Sequence, residues 1–304
     1  MNHLRRIENG FFYLLFCIAL ALSWYFHKDA TRFSDRHELW SDRAGYYIYL
    51  PATFFYQFNT HKMPADLDVQ TGGGFSIDTT RNKIDTKYTY GVALRESPFF
   101  LASGVISGIA GYDSENGFSM IFMRMMALAA VVYLMFGLWF LKKFLDHYFN
   151  PGISMMVIAA LFLGTNLFYY SLIDGMMSHV YSFFLCALFL YALKELFVTH
   201  RFRSFLLITL VLALLVLIRP SNLLLGLLFF GWDAGTPAGW RNRVKLLLQP
   251  KYGITFLAVL FLVFLPQLVY WKYLSGSWLY FSYAGEGFTN WRHPKIAGVL
   301  LSPV

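Results

Sequence analysis

Long, uninterrupted apolar blocks are the feature of this sequence that most restricts its fold. Residues 118–141 form one such block, which ends at Lys142 and Lys143. A run of about 20 apolar residues has the length of a helix that crosses the hydrocarbon core of a bilayer. Of the 304 residues, 57% are hydrophobic and only 14% are charged, which is far from the usage of soluble domains. The sequence therefore predicts an all-α polytopic membrane protein.

About seven blocks are predicted to span the membrane, within a single transmembrane domain that takes in residues 1–304. They lie at residues 11–26, 118–141, 153–172, 178–198, 204–218, 222–232 and 254–274. The fifth and sixth are short and flank Arg219-Pro220-Ser221, which is typical of a broken or re-entrant helix. A further apolar stretch at residues 296–304 has no basic flank or full length, so we expect the sequence to be a truncated piece of a longer protein.

Residues 28–117 are predicted to form one long extracytoplasmic loop after the first span. Two pieces of it, residues 46–58 and 98–111, are moderately apolar. Both are shorter than the roughly 17 to 25 residues of a spanning helix, so we predict that they lie as helices in the membrane interface. The glycine run at residues 72–74 predicts a flexible turn between them.

The basic residues indicate the orientation. They precede the first span and follow the second, fourth and sixth, and loops rich in lysine and arginine stay in the cytoplasm. The N-terminus is therefore predicted to be cytoplasmic and the long loop external. The net charge of +8 serves this orientation and does not indicate a nucleic-acid partner. No Asn-x-Ser/Thr acceptor occurs, which favours the inner (plasma) membrane of a bacterium.

Several charged or polar side chains are predicted to gather at the outer side. A charge at the centre of a spanning helix costs about 2.5 to 3.5 kcal/mol on insertion scales, so the placement of such groups is informative. The members of the group are Asp42, Arg124, Asp174, His179, Arg219 and Lys272. For Arg124 and Lys272, snorkelling or helix capping is an equal alternative.

Asp42 is predicted to be the catalytic residue. It precedes a tyrosine-rich amphipathic run that starts at Tyr46, and such a run holds an acid at the water boundary. A carboxylate with an ordinary pKa of about 3.9 is ionised at neutral pH and accepts a proton or holds a divalent cation. Tyr46 is predicted to contact the substrate, and a divalent cation is the one cofactor left open. The alternative is an ordinary solvated loop acid.

Arg219, held before Pro220 at a tight outer turn, is predicted to bind a phosphate. A guanidinium there makes bidentate, charge-assisted hydrogen bonds of about 1.5 to 3 kcal/mol each. Lys87, Arg95 and Glu96 precede the second interfacial helix and are predicted to flank the same phosphate. The alternative for these three is an ordinary charged helix start.

Three further residues are predicted to contact the substrate. Asp174 lies in the external turn before the fourth span, and His179 opens that span as a hydrogen-bonding group. The alternative for His179 is a residue of the membrane belt. Glu286 lies between two glycines, which allow a backbone to approach a ligand closely.

Taken in order, several stretches of the chain resemble the GT-C class of membrane glycosyltransferases, especially the bacterial relatives of protein mannosyltransferases and of the aminoarabinose transferase of lipid A. The stretches cover residues 41–52 (Ser-Asp-Arg-Ala-Gly-Tyr-Tyr-Ile-Tyr-Leu-Pro-Ala), 88–94, 98–100, 164–170, 178–182, 218–222 and 266–271. The resemblance covers nearly the whole chain, and the order and spacing of these motifs carry it.

The resemblance implies transfer of a sugar, with inversion, from a polyprenyl phosphate carrier to a lipid, glycan or protein acceptor at the outer face. It also implies that the first-loop acid, here Asp42, is catalytic. Two positions depart from the family pattern: Arg43 stands where many relatives carry a second acid, and residues 88–94 replace the Lys-Pro-Pro element of the aminoarabinose branch. The sugar, the acceptor and any metal are therefore left open.

Two other functions stay in view. A non-enzymatic lipid or solute transporter, or flippase, also suits short helices broken at Arg219-Pro220 and charges in the outer leaflet. Inverted internal symmetry, which is common in transporters, is not found. A membrane scaffold or an inactive remnant is the third hypothesis.

Overall fold

The computed structural model describes residues 2–30, 39–111, 116–232, 237–283 and 292–301. In chain order its first elements are α1 (Asn2–His27), α2 (Asp42–Tyr47), α3 (Tyr49–Pro51), a π-helix (Ala52–Tyr56), a 3-10 helix (Thr60–Lys62), α4 (Leu67–Gln70), β1 (Ser76–Asp78), β2 (Lys83–Asp85), α5 (Gly91–Ala110) and α6 (Met120–Leu145). They are followed by α7 (Pro151–Gly164), α8 (Asn166–Leu172), α9 (Ser178–Thr199), α10 (Phe202–Ile218), a 3-10 helix (Pro220–Gly226), α11 (Leu227–Gly231), α12 (Pro237–Leu248), α13 (Pro250–Ser275) and α14 (Ile296–Leu301).

Four of the described helices are long and apolar enough to cross a membrane: α1 from Arg6, α6, α9 and α13. They contain 22 to 26 residues. At about 1.5 Å per residue such helices extend roughly 33 to 39 Å, which exceeds the hydrocarbon thickness of about 30 Å. The predicted all-α membrane fold is confirmed at this level.

The remaining predicted spans are broken or short. The block at residues 153–172 is divided into α7 and α8, which meet at 69° and form a fifth span only if the bent pair counts as one. Thr165 makes this break, because its backbone is extended while its side chain accepts a hydrogen bond from the Leu167 amide. Arg219 ends α10 with an extended backbone, as expected for a residue before proline. The count of about seven spans stays a prediction.

The first loop is more compact than the sequence suggests. The first interfacial piece begins at Asp42, and α2, α3 and the π-helix follow one another with few breaks. The second piece is the 20-residue helix α5, which begins at Gly91 and contains Pro98 internally. The N-terminal part of α5 is buried, whereas Val105 and Ile109 near its end are 63% and 84% exposed. The start of α5 therefore packs into the bundle, whereas an interfacial position for residues 98–111 stays a prediction.

A short hairpin fixes the loop to the last long helix. Strands β1 and β2 pair antiparallel, with Ile77 opposite Ile84. The Tyr270 hydroxyl of α13 donates to the Ile84 carbonyl at 2.9 Å and accepts from the Thr86 amide at 3.1 Å. These bonds place residues 86–90 across the end of the bundle.

The helices define two ends. Lys142 of α6 pairs with Glu8 of α1 at 3.1 Å, so the start of α1 and the end of α6 lie together. His147 lies 3.8 Å from Glu195 of α9 at the same end. We call this the basic end because it carries Lys142, Lys143, Arg201, Arg203, Lys245 and Lys251. The first loop lies at the other end of the bundle. Which end faces the cytoplasm stays a prediction.

Candidate functional site

Asp42 is presented by a strained turn. The Arg43 amide donates to the Trp40 carbonyl at 3.3 Å, which closes a turn over Ser41 and Asp42. Ser41 has φ 52° and ψ −124°, values close to the first central position of a type II′ turn, where glycine is usual. Such a conformation costs a non-glycine residue of order 1 to 3 kcal/mol, and it persists only where the surroundings hold it.

The glycine run supplies those surroundings. The Ser41 amide donates to the Thr71 carbonyl at 2.7 Å. Gly72 has φ +75° and lies directly against the Trp40 ring. A Cβ atom at Gly74 would collide with the Ser41 carbonyl, so only glycine allows this approach. The turn predicted as flexible is therefore packed against the start of α2 and fixes the backbone around Asp42.

Tyr88 lies close enough to Asp42 for the two side chains to interact. Burial, followed by the hydrogen-bonding and charge effects of Asp42, raises the pKa of the Tyr88 hydroxyl well above its usual value, so it stays protonated at neutral pH. The contact is loose, because the hydroxyl completes no well-aligned hydrogen bond within the described part of the chain. The Tyr88 ring packs on that of Tyr46, with 4.1 Å between centroids. Tyr46 is buried, and its ring packs against the Tyr88 ring.

Lys87 brings positive charge to the same place. Its ammonium lies 5.4 Å from the centre of the Tyr88 ring and 5.7 Å from that of Tyr283. The Ser282 hydroxyl donates to the Lys87 carbonyl at 2.7 Å, so the segment after α13 folds back over this residue. Lys87 thus lies beside Tyr88, and its anion-binding role stays a prediction.

Arg43 connects the loop to the turn before α9. Its Nη1 lies 3.1 Å from Oδ1 of Asp174. Asp174 was predicted to contact substrate, and the structure places it near Asp42 through this ion pair. Its charge is therefore already balanced by a neighbouring residue of the protein.

The side chains of His179 and Arg219 are also in contact. Nη2 of Arg219 lies 3.5 Å from Nε2 of His179, and the His179 ring stacks on Tyr170 with 3.8 Å between centroids. The Thr89 hydroxyl donates to the Leu217 carbonyl, which brings residues 86–90 beside the end of α10. One short segment therefore contacts Asp42 through Tyr88 and approaches Arg219 through Thr89.

Arg95 and Glu96 are adjacent in α5, but their side chains have different surroundings. Glu96 is fully buried and accepts a hydrogen bond from the Tyr181 hydroxyl at 2.9 Å, which makes it part of the bundle interior. Burial lowers the pKa of the Arg95 guanidinium, and its Nε finds no hydrogen-bond partner in the described ranges. Of these two, Arg95 is the better suited to bind an anion. Glu286 lies outside the described residues.

A cavity of about 580 Å³ adjoins this segment. It lies between α5, α13 and the first-loop helices, and aromatic and aliphatic side chains provide most of its lining. Tyr49, Phe54, Tyr90, Val269, Tyr270 and Tyr273 are among them. Tyr90 lines the cavity, and Tyr88, two residues earlier, contacts Asp42. The same short segment therefore borders both the apolar cavity and the polar site.

The described part of the chain holds no evident metal-binding cluster. Within the described ranges, no three His, Cys, Asp or Glu side chains come close enough to hold a metal ion. The cation suggested for Asp42 therefore stays a prediction.

Sequence reasoning missed the roles of Tyr88 and Arg43. Tyr88 lies in residues 88–94, one of the stretches that carry the family resemblance, but the sequence gives it no role of its own. Arg43 was noted as a departure from a family pattern, and its pairing with Asp174 lies 131 positions away in the chain. A basic residue replacing an expected acid was the available signal for a partner of opposite charge.

Comparisons with known proteins add no relative. No protein-family model, no curated protein sequence and no solved structure matches this chain.

Proposed function

We propose that the chain is a membrane glycosyltransferase that moves a sugar from a polyprenyl phosphate carrier to an acceptor hydroxyl at the membrane surface, with inversion. The observation that carries the proposal is the setting of Asp42. A strained turn holds this acid next to Tyr88. Tyr88 belongs to residues 86–90, which also carry Lys87 and which Thr89 brings beside the end of α10, where Arg219 lies. An acid, a neighbouring hydroxyl and cations on adjoining residues are groups that this reaction can use.

In the proposed step, Asp42 accepts the proton of the acceptor hydroxyl as its oxygen attacks the anomeric carbon. The bond between that carbon and the phosphate oxygen breaks, and the carrier phosphate leaves with the electron pair. Cations stabilise the charge that develops on the leaving phosphate. Lys87 and Arg219 are assigned this role, with Arg95 as a third contributor.

The cavity next to Tyr90 supports a lipid-linked donor over a free nucleotide sugar. Its aromatic and aliphatic lining favours an isoprenoid chain, and it adjoins the segment that carries Lys87 and Tyr88. A carrier lying there presents its phosphate to these side chains while its sugar extends toward Asp42.

The test is a panel of radiolabelled polyprenyl-phosphate sugars incubated with membranes that contain the full chain. We expect release or transfer of one sugar, and loss of that release with Asp42→Asn. Folding of both proteins is checked by their unfolding temperatures in detergent. No release from any donor by the folded protein would overturn the proposal.

The transporter hypothesis also has specific support. The 69° bend between α7 and α8 and the break at Arg219-Pro220 are features of substrate pathways through membranes. Movement of a fluorescent polyprenyl phosphate across vesicles, unchanged by Asp42→Asn and without sugar release, would favour it over the enzyme.

A further inference from the structure

A small cavity lies between α1 and α6, at the end of the bundle that carries the first loop. Its volume is about 190 Å³. This is below the roughly 300 to 1,000 Å³ of pockets that enclose whole ligands, so the cavity admits one small group. The side chains that line it include Leu20, Ser23, Trp24, His27, Arg124 and Leu128.

The lining changes from polar to apolar along the helix axes. The basic end holds the start of α1 and the end of α6, so the other ends of these two helices also lie together. His27 ends α1 and Arg124 is the fifth residue of α6, which places both near the membrane boundary. Leu20 lies seven residues before His27, about 10 Å further from that boundary along the helix axis. The cavity therefore has a polar mouth and an apolar floor.

Arg124 supplies a cation to this mouth. Its Cζ lies 4.7 Å from the centre of the Trp24 ring, which fixes the guanidinium beside the cavity. A guanidinium over a ring keeps N–H donors that can bind an oxygen anion in bidentate fashion. Among the described residues, no carboxylate lies within ion-pair distance of Arg124. Snorkelling explains an arginine that reaches the interface, but it does not require a cavity beside the guanidinium.

Ser23 adds a second donor inside the cavity. The residue is 6% exposed, and its hydroxyl makes no hydrogen bond to the part of the chain that the structure describes. Elsewhere in this chain, the hydroxyls of Ser103, Ser171 and Ser275 each donate to the carbonyl four residues earlier. A buried hydroxyl without an acceptor lowers stability. Ser23 is therefore a donor suited to a ligand oxygen.

His27 holds the rim of the cavity in place. Its Nδ1 lies 2.8 Å from the Ser23 carbonyl and its Nε2 lies 3.3 Å from the Ile173 carbonyl. These two contacts connect the end of α1 to the turn before α9. The imidazole cannot leave the rim without losing both, so the mouth of the cavity is already formed.

We propose that this cavity binds the phosphate of an anionic phospholipid, with Arg124 and Ser23 as hydrogen-bond donors. Basic pockets between membrane helices recognise such headgroups. The lipid's glycerol and first acyl carbons would then lie against Leu20 and Leu128, in the order in which the lining turns apolar. A free phosphate would leave this floor unfilled. The described lining carries no carboxylate, so it offers no counter-charge to an ammonium headgroup. The site does not depend on the proposed reaction.

The test uses the purified full chain in detergent and native mass spectrometry. Phosphatidylglycerol and phosphatidylcholine with identical acyl chains are added in equal amounts. We expect about fivefold higher retention of phosphatidylglycerol, which is about 1 kcal/mol and matches one basic side chain at an anionic membrane surface. Equal retention of the two lipids would overturn the proposal. Displacement of phosphatidylglycerol by an equal concentration of inorganic phosphate would show a free-anion site and overturn the lipid assignment.

Variants decide where the lipid binds, because the basic end also carries cations. Arg124→Gln should remove most of the preference for phosphatidylglycerol. Lys272→Gln is the matched control, because Lys272 lies near a tryptophan ring at the same end but donates to the Gly276 carbonyl and does not line the cavity. Ser23→Ala should lower retention of phosphatidylglycerol by a smaller factor. Leu128→Trp should lower it by filling the floor of the cavity.

Unfolding temperatures in detergent show which variants fold. If Arg124→Gln does not fold, Arg124→Lys replaces it and should lose part of the preference, because lysine keeps the charge but makes no bidentate contact. An effect of Lys272→Gln as large as that of Arg124→Gln would show a general charge effect and overturn the site. Unchanged retention in both Ser23→Ala and Leu128→Trp would exclude the cavity as the place of binding.

Discussion

The Arg43 guanidinium and the Asp174 carboxylate form an ion pair that joins the first loop to the turn before α9. The two side chains are 12% and 19% exposed, so water is largely excluded from the contact. Arg43 follows Asp42 directly in sequence, and its pair with Asp174 holds the loop on the bundle. Asp174 thus has an anchoring role that does not require a substrate.

We expect Arg43→Gln and Asp174→Asn each to destabilise the protein by on the order of 3 kcal/mol, because each removes the counter-charge of a largely buried ion. The double variant should lose clearly less than the sum of the two single variants. Unfolding in detergent, measured for the wild type and all three variants, gives the coupling. Strict additivity would mean that the two charges do not depend on each other.

Replacing Asp42 by asparagine should lower turnover by about 10² to 10⁴, the range for loss of a general base, which corresponds to about 3 to 5 kcal/mol of barrier. Asp29→Asn is the matched control, since Asp29 is a first-loop acid with an 80% exposed side chain. Sugar transfer by both variants is compared at equal protein. Activity of Asp42→Asn within a few-fold of wild type would remove Asp42 from this role.

Tyr88→Phe keeps the ring that packs on Tyr46 but removes the hydroxyl beside Asp42. We expect kcat to fall about tenfold and KM to change little, because the loose contact with Asp42 should tighten into a hydrogen bond during the reaction, and such a bond to a charged group is worth about 1.5 kcal/mol. Tyr88→Leu also removes the ring and should lower the unfolding temperature. Full kcat in the Phe variant would assign Tyr88 to packing alone.

The membrane class could be predicted because it depends on local composition. A long run of apolar residues indicates a membrane helix whatever the rest of the chain does. Asp42 is likewise next to its tyrosine-rich run in the sequence itself. The bend at Thr165 could not be predicted, because residues 153–172 are apolar throughout apart from a few small polar side chains. It depends on one extended residue whose side chain caps α8.

The contacts that build the site depend on distant parts of the chain. Nothing near Arg43 indicates Asp174 as its partner, and nothing near Glu96 indicates that Tyr181 will enclose it. The start of α5 was predicted at residue 98, because Arg95 and Glu96 resemble a hydrophilic flank. In the fold both belong to the helix, and burial of Glu96 accounts for the difference.

Asp85 gives a pH-dependent prediction. Burial raises the pKa of this carboxyl, and the charge of Arg81 opposes the shift. The folded protein therefore holds the proton more tightly than the unfolded chain, whose pKa is about 3.9, so stability falls as pH rises above that value through the folded pKa. Asp85→Asn, which stays neutral, should be more stable than wild type at pH 7 and equal to it below about pH 4. Unfolding temperatures at both pH values test this, and an equal difference at both would contradict it.

The approach of Gly74 to Ser41 gives the last prediction, because it connects loop packing to catalysis. Gly74→Ala must push the Ser41 carbonyl away, and with it the turn that presents Asp42. We expect sugar transfer to fall at least about tenfold, since small displacements of catalytic groups have large effects. Gly104→Ala on α5 is the control, because a Cβ there meets open space and alanine favours the helix by up to about 1 kcal/mol. Full transfer by Gly74→Ala would show that the position of Asp42 does not depend on the glycine run.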